Sequence, residues 1–315
     1  MKSFKLKTLS VAVLLAAGTN AHAESIDLFT TDQATITSTI TGGSFNGLIT
    51  TPNLTPAAAA TSTVTTAGTD IVGGERDISV QAIANYVTAT GESTAGVSGS
   101  TFNFNNDTGV AGIAQIQWDG TDGDATAGDT TSLGGIDTNG LGGFDLTAGG
   151  TLNAFQVVTL NADADWQFAI TIFEADGDIN NTNNAWVKVT FDVTEVDPLG
   201  PAHISYIDFA GFGLPGQITA LGSPCGAPAA SLPAGVASVE CSAGDLPGSI
   251  GTNGVDLTNI GAIVADFNTG DAKAVSVDLT LAQITSTNVP EPSSLALLGL
   301  GLFAAGFVGR SKKTA

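Results

Sequence analysis

Oxygen-bearing side chains recur at every second position in one segment, as Glu174, Asp176, Asp178 and Asn180. This spacing lets a loop wrap around a hard cation, so calcium is the one cofactor that the residue pattern favours. The segment departs from the EF-hand pattern, because Asn181 stands at the sixth position from Asp176, where that loop requires glycine. Acidic turns are also common without a metal. The segment is therefore a candidate calcium site.

A second acidic stretch follows a predicted strand that ends at Trp118. It contains two Asp-Gly turn signals and the carboxylates Asp119, Asp122, Asp124 and Asp129. It offers many oxygen ligands but no spacing that selects a metal. It is a second acidic, turn-rich candidate loop, and such strings of acids are also ordinary turn formers.

Few residues are available for catalysis. Beyond the N-terminal leader the chain has one histidine, His203, with Ser205 and Asp208 as nominal partners. No G-x-S-x-G motif accompanies them, and one histidine with one cysteine pair cannot build a histidine- or thiolate-based zinc site. We therefore predict no catalytic residue. A polysaccharide hydrolase or lyase stays open as an alternative, because its two carboxylates can come from any part of the chain and nothing in the sequence singles out a pair.

Both ends of the chain carry export signals. Lys2, Lys5 and Lys7 precede a short apolar run, and Ala21-His22-Ala23 is an A-x-A cleavage site, which predicts a signal peptide over residues 1–23. At the other end, residues 293–309 are uncharged and span roughly 25 Å as a helix. The basic residues that follow can snorkel to the interface and complete a transmembrane helix. These flanking residues are Arg310, Lys312 and Lys313.

The body between these ends is strongly acidic. Of the nine lysines and arginines only Arg76, Lys188 and Lys273 lie in it, against 29 of the 30 acids, which gives a net charge of −26. Such a surface repels nucleic acid phosphates, so we expect no nucleic acid partner. The two cysteines, Cys225 and Cys241, predict a disulfide outside the cytoplasm.

The body predicts an all-β fold, because apolar and polar residues alternate with period two and no helical stripe is present. The predicted strands lie near residues 28–40, 77–84, 111–118, 151–160, 166–172, 187–193, 203–209, 260–267 and 274–281. Polar turns between them favour an antiparallel two-sheet sandwich or jelly-roll-like domain over residues 24–284. Within it we expect a Thr/Ala/Pro-rich excursion at 51–69 and a Pro/Gly-rich loop at 220–254. A spacer at 285–289 then precedes the tail at 290–315.

The three tryptophans lie in predicted strands. Trp118 adjoins an Asp-Gly turn and is a candidate exposed platform for stacking on sugars. Trp166 alternates with apolar residues and is expected in the core. Trp186 falls out of phase with Val187–Val193 and is expected to point outward.

The C-terminal tail, Val289-Pro290-Glu291-Pro292 followed by a Gly-rich apolar segment and a basic end, resembles the PEP-CTERM sorting domain of Gram-negative bacteria. The resemblance implies that the Sec machinery exports the chain and that an exosortase, a membrane-embedded cysteine protease-like enzyme, processes it near Pro290–Pro292. The segment Gly73–Asp77 is similar to passages in proteins carrying this tail, with no role attached.

From this resemblance we expect an exported cell-surface or matrix protein, associated with biofilm or exopolysaccharide. Its membrane helix belongs to a tethered intermediate. The expected role is non-catalytic, structural or glycan-contacting. A calcium-dependent adhesin module is the other alternative.

Overall fold

The computed structural model describes residues 24–42, 52–66, 70–86, 89–129, 132–163, 166–175, 185–193, 201–209, 236–242, 255–269 and 274–289. The predicted signal peptide, Cys225 and the tail from Pro290 onward lie outside these ranges. Within them, no helix has the length and apolar character needed to cross a bilayer.

Alternating side chains build fourteen strands in the described ranges. They are β1 Glu24–Asp27, β2 Gln33–Thr41, β3 Ala60–Thr65, β4 Glu75–Asn85, β5 Thr90–Ser98, β6 Thr101–Asn106, β7 Val110–Trp118, β8 Ala154–Ala162, β9 Trp166–Glu174, β10 Trp186–Val193, β11 His203–Asp208, β12 Val236–Ser242, β13 Ile260–Phe267 and β14 Asp278–Thr287. A 3₁₀ turn, Val72–Gly74, precedes β4.

The strands form two antiparallel sheets of seven strands each. Sheet A has the order β11-β8-β14-β6-β5-β2, with β1 pairing on β14. Sheet B has the order β12-β10-β9-β13-β7-β4-β3. This confirms the prediction of an all-β, antiparallel, two-sheet body.

The inner faces of the two sheets share one apolar core. Phe102 on β6 of sheet A meets Phe267 on β13 of sheet B, with ring centroids 5.0 Å apart. The sheets also approach closely at Gly112 on β7, where an added Cβ would lie 2.1 Å from Ser93 Oγ on β5. Burial of this shared face is the main stabilising term for such a fold.

A fully buried ion pair links the two sheets. Arg76 on β4 donates from Nη1 to both carboxylate oxygens of Asp27 on β1, at 2.9 and 3.0 Å, and both side chains are 0% exposed. Trp118 Nε1 donates to Asp27 Oδ2 at 2.9 Å. The prediction of an exposed Trp118 is therefore wrong, because its indole N–H is satisfied inside the core and the residue is 1% exposed.

Several strand boundaries differ from the predicted ones. The predicted strand over residues 28–40 begins only at Gln33, in β2, after a turn in which Phe29 adopts a positive φ of 53°, and the short strand β1 precedes the predicted run. The run 274–281 is interrupted at Ser276, with φ 58°, so Val275 is exposed while the next three alternating residues are buried.

Edge strands occupy both stretches that were predicted to lie outside the sheets. β3 lies within residues 51–69 and pairs with β4, and β12 lies within residues 220–254 and pairs with β10. Both are sheet edges built largely from small and polar residues, so their alternation is weak in the sequence.

The two ends of the body lie side by side. Glu24 pairs with Ser286 across β1 and β14. The predicted spacer 285–289 belongs to the folded body, because β14 continues to Thr287 and Asn153 brackets Val289 with two hydrogen bonds, of 3.0 and 2.8 Å. The tail motif therefore begins directly where the folded body ends.

Candidate cation site

Strand β4 divides its side chains between two faces. Arg76, Ile78 and Val80 are buried in the inner core, and alternation places Glu75 and Asp77 on the outer face of sheet B. Thr65 donates to Glu75 Oε2 at 2.6 Å, and Thr63 donates to Asp77 Oδ1 at 2.5 Å, both from the edge strand β3. Two carboxylates, two residues apart on β4, therefore lie side by side on the outer face of sheet B.

The β7–β8 connection, residues 119–153, folds back over this outer face. The side chain of Gln115 exchanges two hydrogen bonds with the backbone of Gly128, at 2.7 and 3.0 Å. Ile136 packs on Phe173, Ala262 and Val264 in a small apolar cluster of its own. Because the connection covers the sheet, Glu75 and Asp77 are only 2% and 1% exposed.

The connection brings further carboxylates to the row on β4. Glu75 Oε1 accepts hydrogen bonds from the backbone N–H groups of Asp122 and Gly123, at 2.9 and 2.7 Å. This turn holds the Asp122 side chain so that one oxygen each of Glu75, Asp77 and Asp122 lie within 4.8 Å of one another. Three carboxylates at this spacing match the ligand set of a hard divalent cation. We refer to these three residues as the acidic cluster.

Three buried oxygens at this site have no hydrogen-bond partner. They are Asp77 Oδ2, Gln117 Oε1 and Asp119 Oδ1. Gln117 faces Asp77 across the β4–β7 register, and Asp119 lies two residues further along the same outer face. All three atoms are acceptors, and a buried acceptor without a partner is costly. A cation would satisfy them.

The described lysine and arginine side chains are engaged elsewhere. Arg76 is bound to Asp27 on the other face of sheet B, and Lys188 pairs with Asp266 at 3.0 Å. In the described part of the chain, therefore, no lysine or arginine is placed to neutralise the acidic cluster.

The electrostatics reflect this crowding of carboxylates. Burial, together with the charges of Glu75 and Asp122, raises the pKa of Asp77 to about 6, against the hydrogen bond from Thr63. Burial likewise raises the pKa of Asp119 to about 8, against the hydrogen bond from the backbone of Asp137. Anionic carboxylates in this site are thus disfavoured unless protons or a cation compensate them.

The first calcium candidate from the sequence is only partly described. Glu174 ends β9 half-buried, and its Oε2 accepts a hydrogen bond from the backbone of Asp256 at 3.0 Å. Burial raises the pKa of Glu174, with this hydrogen bond opposing the rise. Asp176, Asp178 and Asn180 lie outside the described residues, so that site stays a prediction.

The second candidate is divided by the structure. Asp122 joins the acidic cluster and Asp119 borders it, whereas Asp124 caps its own turn by accepting from Thr126. The sequence missed the partners Glu75 and Asp77. The sequence feature that could have pointed to these two carboxylates is the segment Gly73–Asp77. Gly73 and Gly74 have positive φ values of 74° and 82° and turn the chain into β4.

Other predicted residues are placed as follows. His203 and Ser205 share one face of β11, while alternation directs Asp208 to the other, so the three do not form a triad.

Trp166 lies in the core at 6% exposure, as predicted. Trp186 packs partly buried on the outer cluster beneath the β7–β8 connection, which fits its predicted outward direction. Cys241 lies on β12, and its predicted disulfide with Cys225 stays a prediction.

A second surface of interest lies on the outer face of sheet A. Tyr206 and Ile204 on β11 are 53% and 48% exposed. The Tyr206 hydroxyl accepts from Gln156 on β8, and Gln156 accepts from Gln283 on β14, both at 3.2 Å. This row of one tyrosine and two amides, the Tyr206 patch, offers a stacking ring beside hydrogen-bonding groups.

The comparison with known families decides the identity of the tail. The PEP-CTERM protein-sorting motif matches residues 288–313. The chain carries a PEP-CTERM sorting motif. It is therefore a substrate for exosortase processing and is exported to the cell surface or beyond. The match is confined to the tail and leaves the β body unassigned. No curated protein matches the chain.

Proposed function

We propose that this PEP-CTERM protein is a non-catalytic component of the cell surface or biofilm matrix, and that its body supports structure or contacts glycans. The observation that carries the proposal is a sorting motif placed directly after the last strand of an acidic β body. The body is proposed to be a sandwich, jelly-roll-like in outline and closed by the Cys225–Cys241 disulfide. The core shared by sheets A and B supports this packing.

The placement of the chain ends supports the proposed route. Sec machinery delivers the chain, and a tethered intermediate, held by the helix at 293–309, meets exosortase. Glu24 and Ser286 are neighbours, so the predicted signal peptide and the sorting tail leave the body at one place. Since both basic flanks stay on the cytoplasmic side, this geometry lets the body fold as one unit outside.

Contact with exopolysaccharide is supported by the Tyr206 patch. An exposed tyrosine beside two amides suits the faces and hydroxyls of sugars. The net charge of −26 opposes direct contact with an anionic polysaccharide. Binding to such a polymer therefore requires bridging by a divalent cation.

The enzyme alternative receives less support. A glycoside hydrolase needs two carboxyl groups that touch the substrate, about 5–10 Å apart. Asp77 and Asp119, whose pKa values are raised to about 6 and about 8, are only 1% and 0% exposed and cannot touch a polymer in the present arrangement. The adhesin alternative is favoured by the acidic cluster.

Alanine substitution of Pro290, Glu291 and Pro292 together is expected to keep the protein in the membrane fraction. Exosortase can no longer read the motif, and the apolar segment stays attached. The measurement is cell fractionation with the intact mass of the recovered chain, in cells with and without exosortase. Ser294→Ala serves as the control and should be released normally. Equal release of the alanine variant would contradict the proposed route.

Tyr206→Ala is expected to weaken binding to purified native exopolysaccharide about tenfold, since loss of one stacking ring removes about 1–1.5 kcal/mol. Tyr86→Ala, which removes another exposed tyrosine (41%), is the matched control. Co-sedimentation measures both.

A chelator should also abolish binding to an anionic polymer. Binding that persists in Tyr206→Ala and in chelator would contradict both the patch and the bridging.

A further inference from the structure

We propose that Glu75, Asp77 and Asp122 form a calcium-class divalent cation site that fastens the β7–β8 connection to sheet B. Two of the ligands belong to strand β4 and the third belongs to the connection. A cation held between them would therefore tie a long connection to the strand beneath it.

The donor set selects the class of cation. The three nearest groups are carboxylates, and the unpartnered amide oxygen of Gln117 lies beside Asp77 in the register. All are hard oxygen donors, with no nitrogen or sulfur among them, which favours calcium over zinc or copper. Asp122 is exposed, so water can complete a shell of six to eight oxygens.

The unpartnered buried oxygens are the second, independent observation. An acidic surface patch satisfies its oxygens with water, whereas Asp77 Oδ2 and Asp119 Oδ1 are buried and have no hydrogen-bond partner. Asp77 also belongs to the group whose oxygens converge within 4.8 Å. Asp77 thus combines a buried oxygen that lacks a partner with a place in the converging group, and a cation bound there explains both.

The site differs from the one predicted around Glu174. That residue belongs to β9 and is bound by the Asp256 backbone, whereas the acidic cluster joins β4 to the β7–β8 connection. The two sites can be separated by substitution.

The test measures the melting temperature of the exported protein, purified with chelator and titrated with calcium chloride. A dissociation constant near 0.1 mM, as in extracellular modules, should raise the melting temperature by about 5–10 °C at 10 mM calcium. Magnesium chloride at equal concentration should raise the melting temperature less. Proteolysis within residues 121–129 should slow as calcium is added.

Asp77→Asn is the decisive variant. Its amide supplies a hydrogen-bond donor to a cluster of acceptors, so the calcium-free protein should melt at the same or a higher temperature, while the calcium response disappears. Glu75→Gln should lose the response as well. Asp192→Asn removes one exposed charge on β10 and should retain it.

Two results would overturn the proposal. One is an unchanged melting temperature in 10 mM calcium, which would leave protons as the compensation for the buried carboxyls. The other is a response that survives Asp77→Asn and Glu75→Gln but is lost in Asp176→Asn, which would place the cation at residues 174–180. Neither result bears on exosortase processing.

Discussion

Replacing Arg76 by methionine is expected to lower the free energy of unfolding by about 3–5 kcal/mol, the range for removal of one partner from a buried ion pair. Arg76 is the positive partner of Asp27, and both side chains are fully buried. Methionine fills much of the same volume but leaves the Asp27 carboxylate without its counter-charge. Arg76 Nε and Nη2 also donate to Gln33 and to the Thr31 carbonyl, at 2.8 and 2.6 Å, and these acceptors lose their donors.

A double-mutant cycle isolates the pair itself. Asp27→Asn alone leaves the guanidinium unpaired, whereas Asp27→Asn combined with Arg76→Met removes both charges and should cost less than the sum of the two single changes. Urea unfolding measures all four proteins. Lys188→Met is the matched control, because the Lys188–Asp266 pair is partly exposed and should contribute about 1 kcal/mol or less. An Arg76→Met cost no larger than this control would contradict the expected role.

The Arg76–Asp27 pair also shows why the sequence predicted the sheets better than their contacts. Alternation with period two is a local signal, and it correctly predicted the strands β7, β9 and β10. The partner of Trp118 lies 91 residues away, so nothing near Trp118 signals that its indole N–H is satisfied in the core. A tryptophan beside a turn signal was therefore predicted to be exposed.

The acidic cluster follows the same logic. Asp122 was recognised as one of a string of acids, but its partners lie on β4, 45 and 47 positions earlier in the sequence. Only the pairing of Asp77 with Gln117 across β4 and β7 brings the two segments together. The sequence shows the types of ligand but not the register in which β4 and β7 pair. The edge strands β3 and β12 were missed for another reason, because small and polar residues hide their alternation.

Gly140→Ala is expected to destabilise the protein by about 3 kcal/mol, the upper end of the usual cost of overpacking. A Cβ at Gly140 would lie 1.5 Å from the carbonyl oxygen of Asp119, and Gly120, with φ +94°, approaches the Gly140 carbonyl from the other side. Here Asp119 and Gly120, at the start of the β7–β8 connection, pack backbone against backbone on Gly140. The alanine methyl group therefore displaces the Asp119 backbone and, with it, the start of the β7–β8 connection.

Gly142→Asn tests whether the effect comes from this contact. A Cβ at Gly142 meets nothing within 4 Å, and asparagine tolerates its positive φ of 64°, so the cost should stay below about 1 kcal/mol. Hydrogen exchange should accelerate across residues 119–140 in Gly140→Ala and not in Gly142→Asn. Since Asp122 reaches the acidic cluster only when the connection is seated on sheet B, Gly140→Ala should also weaken the calcium response. Equal stability and equal exchange in the two variants would show that the close approach of Gly120 and Gly140 does not hold the connection in place.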